Sequence, residues 1–192
     1  MDKSTEIVRL RAGDENAFRE LVDQYRDKVF NTALGLLQHH ENAEDLTQEV
    51  FVEIFRSVAG FRYECSLSTW IYRITVRKAL EQIRAAKRQK RSGILFSIFG
   101  REEQFNVTTE SPFYHPGVLL ENKERSAILF NAIAMLPESQ RTAFTLHKVE
   151  GLSQVEIAEI LETSVSAVES LIVRAKKKLQ DILSSYYEKN ER

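Results

Sequence analysis

The sequence predicts an all-α protein of two small helical domains joined by a linker, the second domain carrying a helix-turn-helix. Three observations lead there. Apolar residues recur at helical spacing over most of the chain, with few β-branched runs. Only three prolines and seven glycines occur in 192 residues, and two of the prolines, Pro112 and Pro116, fall in one aperiodic stretch, 92–120. Charge is segregated: ten acidic against four basic residues over 14–60 give −6, and nine basic against two acidic over 61–91 give +7, although the net charge is −1. The expected domains are therefore 1–91 and 121–192, with 92–120 between them.

Asp14 is a plausible N-cap for a helix whose stripe runs through Ala17, Phe18, Leu21, Tyr25, Val29, Ala33 and Leu37. That helix is expected to end near residues 38–41. Asn42 then caps a second helix, with Ala43, Leu46, Val50, Ile54 and Val58 on one side and Glu44, Asp45, Gln48, Glu49 and Glu53 on the other. Gly60 ends it. Phe51 and Phe55, beside those acids, point to a surface that binds something apolar as well as basic.

Residues 61–91 open with an aromatic and polar loop and continue as a basic helix capped by Ser66 or Ser68. Trp70, Ile71, Ile74, Leu80 and Ile83 form its inward stripe, while Arg73, Arg77, Arg84 and Arg88 lie outward. A cationic helix fed by aromatics suits a phosphate backbone with unstacked bases beside it. The acidic hairpin and the basic helix cannot both face nucleic acid, so the simplest division gives the acidic face to a protein partner. In the linker, the apolar positions 94–99 either dock on a domain or meet a partner, docking being the simpler reading.

From Glu121 a further helix carries Leu129, Ile133, Met135 and Leu136 up to Pro137, which suits the first turn of the next. Residues 151–179 hold the most specific pattern. Ser153 with Glu156, and Ser166 with Glu169, each match a capping box, and so define two helix starts. Ile157, Ala158 and Leu161 face the same interior as Val165, Val168 and Ile172, and small Ala158 lets the helices approach. The second helix exposes Ser164, Ser166, Ala167, Glu169, Ser170, Val173, Arg174 and Lys177. Its N-terminal part suits base edges, and Arg174, Lys176, Lys177 and Lys178 suit phosphates.

Other classes find little support. The longest apolar run is far short of the roughly 20 residues that span a bilayer, and the N-terminus has no signal-like apolar core, so a cytoplasmic protein without membrane insertion is expected. Cys65 is the only cysteine, no metal-ligand spacing or nucleotide loop occurs, and neither a cofactor nor an enzymatic activity is expected.

The stretches AEDLTQEVFVEIF (43–55), STWIYRI (68–74), LPESQRTAF (136–144) and GLSQVEIAEIL…SVSAVESLIVRAKKKL (151–179) stand in this order. Together they resemble bacterial RNA polymerase sigma factors of the extracytoplasmic-function (ECF) group. The resemblance implies a promoter-specificity factor that binds core RNA polymerase through its β′ and β subunits and is held inactive by an anti-sigma factor, often at the membrane. It implies that Asp45, Gln48, Glu49 and Phe51 grip the β′ coiled coil. Residues 61–69, including Phe61, Arg62, Tyr63, Ser66, Ser68 and Thr69, would capture a flipped base of the −10 element. Trp70, Tyr72, Arg73, Arg77 and Lys78 would bear on the opening duplex. The helix after Ser166 would read the −35 element, with Arg141 near the DNA backbone. The chain departs from the family's habit at five positions: Arg77 stands for the usual Asn, Glu81 for Asp, Glu162 for Gly, and Glu169 and Leu171 where basic residues are frequent. The rival expectations are a dimeric helix-turn-helix regulator on a symmetric operator and a helical adaptor that binds only proteins.

Overall fold

Asp14 does start the first long helix: its carboxylate accepts from the backbone N–H groups of Asn16 and Ala17. In the computed structural model, which describes residues 3–94 and 123–190, this helix is the second of eight described helices. The helices are α1 (Lys3–Arg11), α2 (Glu15–Leu37), α3 (His40–Ser57), α4 (Leu67–Ile94), α5 (Lys123–Ala134), α6 (Glu138–Lys148), α7 (Gln154–Leu161) and α8 (Val165–Asn190). A short 3-10 turn, Val58–Gly60, follows α3. The described residues contain no strand, as the all-α expectation requires.

Several boundaries differ from the expected ones. His39, not Asn42, caps α3: its Nδ1 accepts from Asn42 N at 3.3 Å, because left-handed Gln38 turns the chain early and leaves His39 extended. Ser66 caps α4, accepting from Thr69 N at 3.0 Å. That helix runs to Ile94, past the expected linker start, since a lone interior glycine at 93 costs only about 1 kcal/mol and is a weak stop. Pro137 sits at the N-cap of α6 rather than inside its first turn. The Ser153–Glu156 capping box forms, but the second does not. Ser164 accepts from Ala167 N at 3.2 Å, so α8 starts two residues earlier than Ser166 would set it. The behaviour expected of positions 95–99 lies outside the described residues.

α1 has no counterpart in the sequence reading. Ile7 and Leu10 are buried, Arg9 donates to Asp14 at 2.7 Å and Glu20 at 3.2 Å, and Arg11 reaches Ala59 O. These ties hold α1 on α2 and the 3-10 turn.

α2 is the hub. It packs on α3 and α4 through Leu21, Val29, Leu36, Ile54 and Ile71. The same apolar cluster continues into the second half through Ala143, Leu146, Ile157, Ala158 and Val168. α2 touches α6 and α4 touches α7, so the two halves dock. Gly35 makes the first contact possible, because a Cβ there would run into the side chain of Thr145. A separate small cluster, Ala132, Ile133, Leu136, Ala175 and Leu179, ties α5 to α8.

Candidate nucleic-acid interface

α3 exposes Asp45, Gln48 and Glu49 on one face. Glu49 pairs with Lys78 at 3.4 Å and Glu53 with Arg77 at 3.3 Å, so the edges of the acidic and basic surfaces neutralise each other where they meet. Phe51 is a correction. It is 9% exposed and faces the core with its neighbour Val50 and with Thr47 and Ile54, the helical positions one turn either side. The exposed apolar groups beside the acids are Val52 and Phe55, the latter 56% exposed and edge-on to Phe18.

In the loop before α4, Phe61 is buried between Tyr63 and Trp70, with ring centroids 5.3 and 5.2 Å away. Arg62, Tyr63 and Ser66 face solvent, Ser68 and Trp70 are half-buried, and Tyr63 adopts a left-handed backbone (φ 62°) that turns its ring outward. The solvent-facing capture groups are therefore Arg62, Tyr63 and Ser66, resting on a Phe61–Trp70 platform.

Further along α4, Arg77 is exposed and Lys78 half-buried. Thr69 and Tyr72 are buried beneath the second half, at 4% and 3% exposure. The Tyr72 hydroxyl donates to Glu150 Oε2 at 2.8 Å, and Arg73 donates to the Glu159 carbonyl from Nη2 at 2.8 Å and Nε at 3.2 Å. Burial pushes the Glu150 carboxyl up to about 7, against the opposing pull of the Tyr72 hydrogen bond, the Lys28 charge and the Thr32 hydroxyl. Burial also pushes the Tyr72 phenol well above its ordinary value, with the Glu150 charge adding to it.

On α8, Ser164 (in the turn), Ser166, Glu169, Ser170, Arg174, Lys177 and Lys178 are exposed, while Ala167 is half-buried. They form one polar face that turns basic towards the C-terminus, the order needed for base edges first and phosphates after. Arg141 does not join it. Its side chain is buried in α6, burial lowers its pKa with Glu138 opposing, and its Nε has no hydrogen-bond partner.

Known proteins divide the chain the same way. The family model described as Sigma-70 region 2 matches residues 21–89, and that described as Sigma-70, region 4 matches residues 126–179. The ECF RNA polymerase sigma-E factor of Haemophilus influenzae is 34% identical over 180 residues, covering 91% of this chain and 92% of that protein. The ECF RNA polymerase sigma factor SigW of Bacillus subtilis is 32% identical over 178 residues, again 91% and 92%. The chain belongs to the ECF sigma-factor family. Its fold is shared by CnrH, solved in complex with the cytosolic domain of CnrY (TM-score 0.67, 22% identity, 95% of this chain and 97% of that one). It is shared too by the sigma factor RpoE, solved with the anti-sigma factor NepR from Bartonella quintana (TM-score 0.66, 22% identity, 87% and 96%).

This sigma factor is thus a promoter-recognition protein, and the rival readings as a dimeric regulator or a bare adaptor are not favoured. Among the described residues no helix is long and apolar enough to cross a membrane, and no cluster of side chains suits a metal ion. The sequence reading missed the contacts between regions 2 and 4. Gly35, in the last turn of α2 between buried Leu34 and Leu36, was the one available signal.

Proposed function

We propose that this sigma factor confers promoter specificity on core RNA polymerase and performs no covalent chemistry of its own. Region 2 (1–91) and region 4 (121–192) act as two readers on a tether, 92–120. Asp45, Gln48 and Glu49, with Val52 and Phe55 in place of Phe51, hold the polymerase β′ subunit, and region 4 approaches β. Arg62, Tyr63, Ser66 and Ser68 on the Phe61–Trp70 platform capture a −10 base. Capture offsets part of the few kcal/mol that unstacking costs. Thr69, Tyr72, Arg73, Arg77 and Lys78 bear on the adjoining duplex. Ser164, Ser166, Ala167, Glu169 and Ser170 read the −35 element, where Glu169 can accept from cytosine N4 but cannot bind guanine as Arg does. Arg174, Lys177 and Lys178 hold phosphates, with Arg141 behind them. Each contact is weak, and they act together through effective concentration once polymerase fixes their spacing.

The observation that carries this reading is the pairing of both sigma regions, in order, with an acidic-apolar helix set against a basic one. An anti-sigma factor is the expected antagonist, supported by the partners of CnrH and RpoE, and the cytoplasm is the expected site of action. Transcription in vitro with core polymerase on a randomised promoter library tests the assignment. Initiation at sites sharing −10 and −35 sequences is expected, and Asp45→Lys with Glu49→Lys lowers polymerase affinity at least ten-fold, about 1.4 kcal/mol. Tight sequence-specific duplex binding by the free protein, with no response to polymerase, would sink it.

A further inference from the structure

We propose that Glu64 decides which base the −10 loop accepts, and that this base is guanine. The inference deepens the assignment of residues 61–69 to the −10 element and rests on it.

Glu64 is the only acid between Glu53 and Glu81, and it stands in the loop that leads into the basic helix α4. Acids that reach α4 from other elements are paired: Glu49 with Lys78, Glu53 with Arg77, Glu138 with Arg84 and Lys87, and Glu162 with Arg73. Glu64 is exposed and, among the described residues, has neither a hydrogen bond nor an ion pair. Arg62, two positions away and also exposed, does not close on it. A carboxylate brought to DNA is repelled by the phosphates and adds nothing to affinity for the backbone. It gains only where a base edge offers it N–H donors.

The loop gives Glu64 a fixed place. Before it, Phe61 is buried against Trp70, and Tyr63 takes a left-handed backbone that L residues adopt rarely. After it, Cys65 packs on the apolar core and Ser66 caps α4. Glu64 is thus exposed between a tyrosine whose ring reaches solvent and a neighbour anchored in the core. Tyr63 offers a face on which a base can stack, and Glu64 offers acceptors next to it in the chain.

Within the duplex, guanine shows the major groove only acceptors, which is why Glu169 cannot bind it there. A flipped base instead presents its Watson–Crick edge. On guanine that edge carries two adjacent donors, N1–H and the N2 amino group, which fit the two oxygens of one carboxylate. Cytosine and adenine each offer one amino group beside a ring nitrogen whose lone pair repels the carboxylate. Thymine offers one N–H flanked by two carbonyls. The preference therefore runs from guanine, through cytosine and adenine, to thymine.

Core polymerase carrying wild type, Glu64→Ala or Glu64→Gln is run on the randomised promoter library. The best wild-type promoter is then remade with inosine, which lacks the N2 amino group, in place of the preferred guanine. Wild type is expected to recover guanine at one −10 position and to lose initiation at least about five-fold with inosine. Glu64→Ala makes that position indifferent, so guanine and inosine serve it alike. Glu64→Gln, whose amide sets a donor beside an acceptor, moves the preference to adenine or cytosine, whose edges do the same. The −35 sequences, read by α8, stay the same for all three proteins and mark each variant as folded. The inosine comparison on wild type needs no variant at all. A wild type that recovers no −10 guanine or ignores inosine, or variants that keep the guanine preference, overturn the role of Glu64. Absence of initiation by wild type on every library member instead overturns the promoter assignment itself, and Glu64's role with it.

Discussion

Glu162 ends α7 with φ 52° and ψ 46°, a conformation that suits glycine and strains a residue bearing a Cβ by roughly 1–2 kcal/mol. The family's usual glycine at this position has that physical reason behind it. Glu162→Gly is therefore expected to raise the melting temperature by about 2–4 °C, the shift that roughly 1 kcal/mol gives a chain of this size. Its ion pair with Arg73 is mostly solvent-exposed and offsets little. A lower melting temperature on thermal unfolding would show that the pair outweighs the strain. Phe51 and Phe55 illustrate a different limit at this scale. Both flank the acids in sequence, and four positions put them only about 40° apart around the helix, one on each side of the edge of the buried face. Only the position of α3 on its neighbours tells which of them is core.

Helices were readable from their period, and their ends were not. Periodicity reports a buried face, whereas a terminus is set by one capping atom, and neighbouring serines or asparagines compete for that role. In the helix-turn-helix the competition was between Ser164 and Ser166, and the structure gives the cap to Ser164. The two serines should thus separate in experiment. Ser164→Ala costs about 1 kcal/mol of stability through the lost cap. Ser166→Ala leaves stability within about 0.5 kcal/mol, as an ordinary surface change does, and alters −35 preference instead. Beyond the first turns, Lys177→Ala is expected to weaken holoenzyme binding to all promoters alike and to reduce its salt slope by about 1. Denaturant unfolding and promoter titrations at several salt concentrations read these effects. A stability loss confined to Ser166→Ala would return the cap to the capping box that the sequence suggested. α1 escaped notice because its nine residues carry too short an apolar pattern, Ile7 and Leu10, to stand out from a polar N-terminus.

At the scale of the molecule, the all-α class, the order of the two regions and the helix-turn-helix were legible, because each follows from local period and spacing. The docking of region 4 on region 2 was not. Tyr72 and Glu150 are 78 positions apart, and no periodicity links residues at that distance. Their contact gives the docking of region 4 on region 2 a pH dependence with a definite sign. Docking buries Glu150 and raises its carboxyl from 4.5 to about 7, whereas in an open chain that carboxyl is exposed and returns to its ordinary range. The docked arrangement therefore binds more protons than the undocked one, so docking is strongest below about pH 4.5 and is lost progressively as pH rises through 7. A shift of that size corresponds to at most about 3 kcal/mol. The groups facing Glu150 do not reverse the trend: Tyr72 on α4 stays a neutral donor, because its pKa is raised, and Lys28 and the Thr32 hydroxyl on α2 favour the ionised carboxylate without cancelling the burial. Glu156, which also acts on Tyr72, has its carboxyl pKa lowered by its hydrogen bonds to Ser153. The scattering radius of the wild-type protein should accordingly grow between pH 5 and 8. Glu150→Gln keeps an acceptor for the Tyr72 hydroxyl and removes the titrating proton, so this variant should stay compact across the same range. Equal expansion of both proteins would place the pH response on another group and leave Glu150 only a packing role.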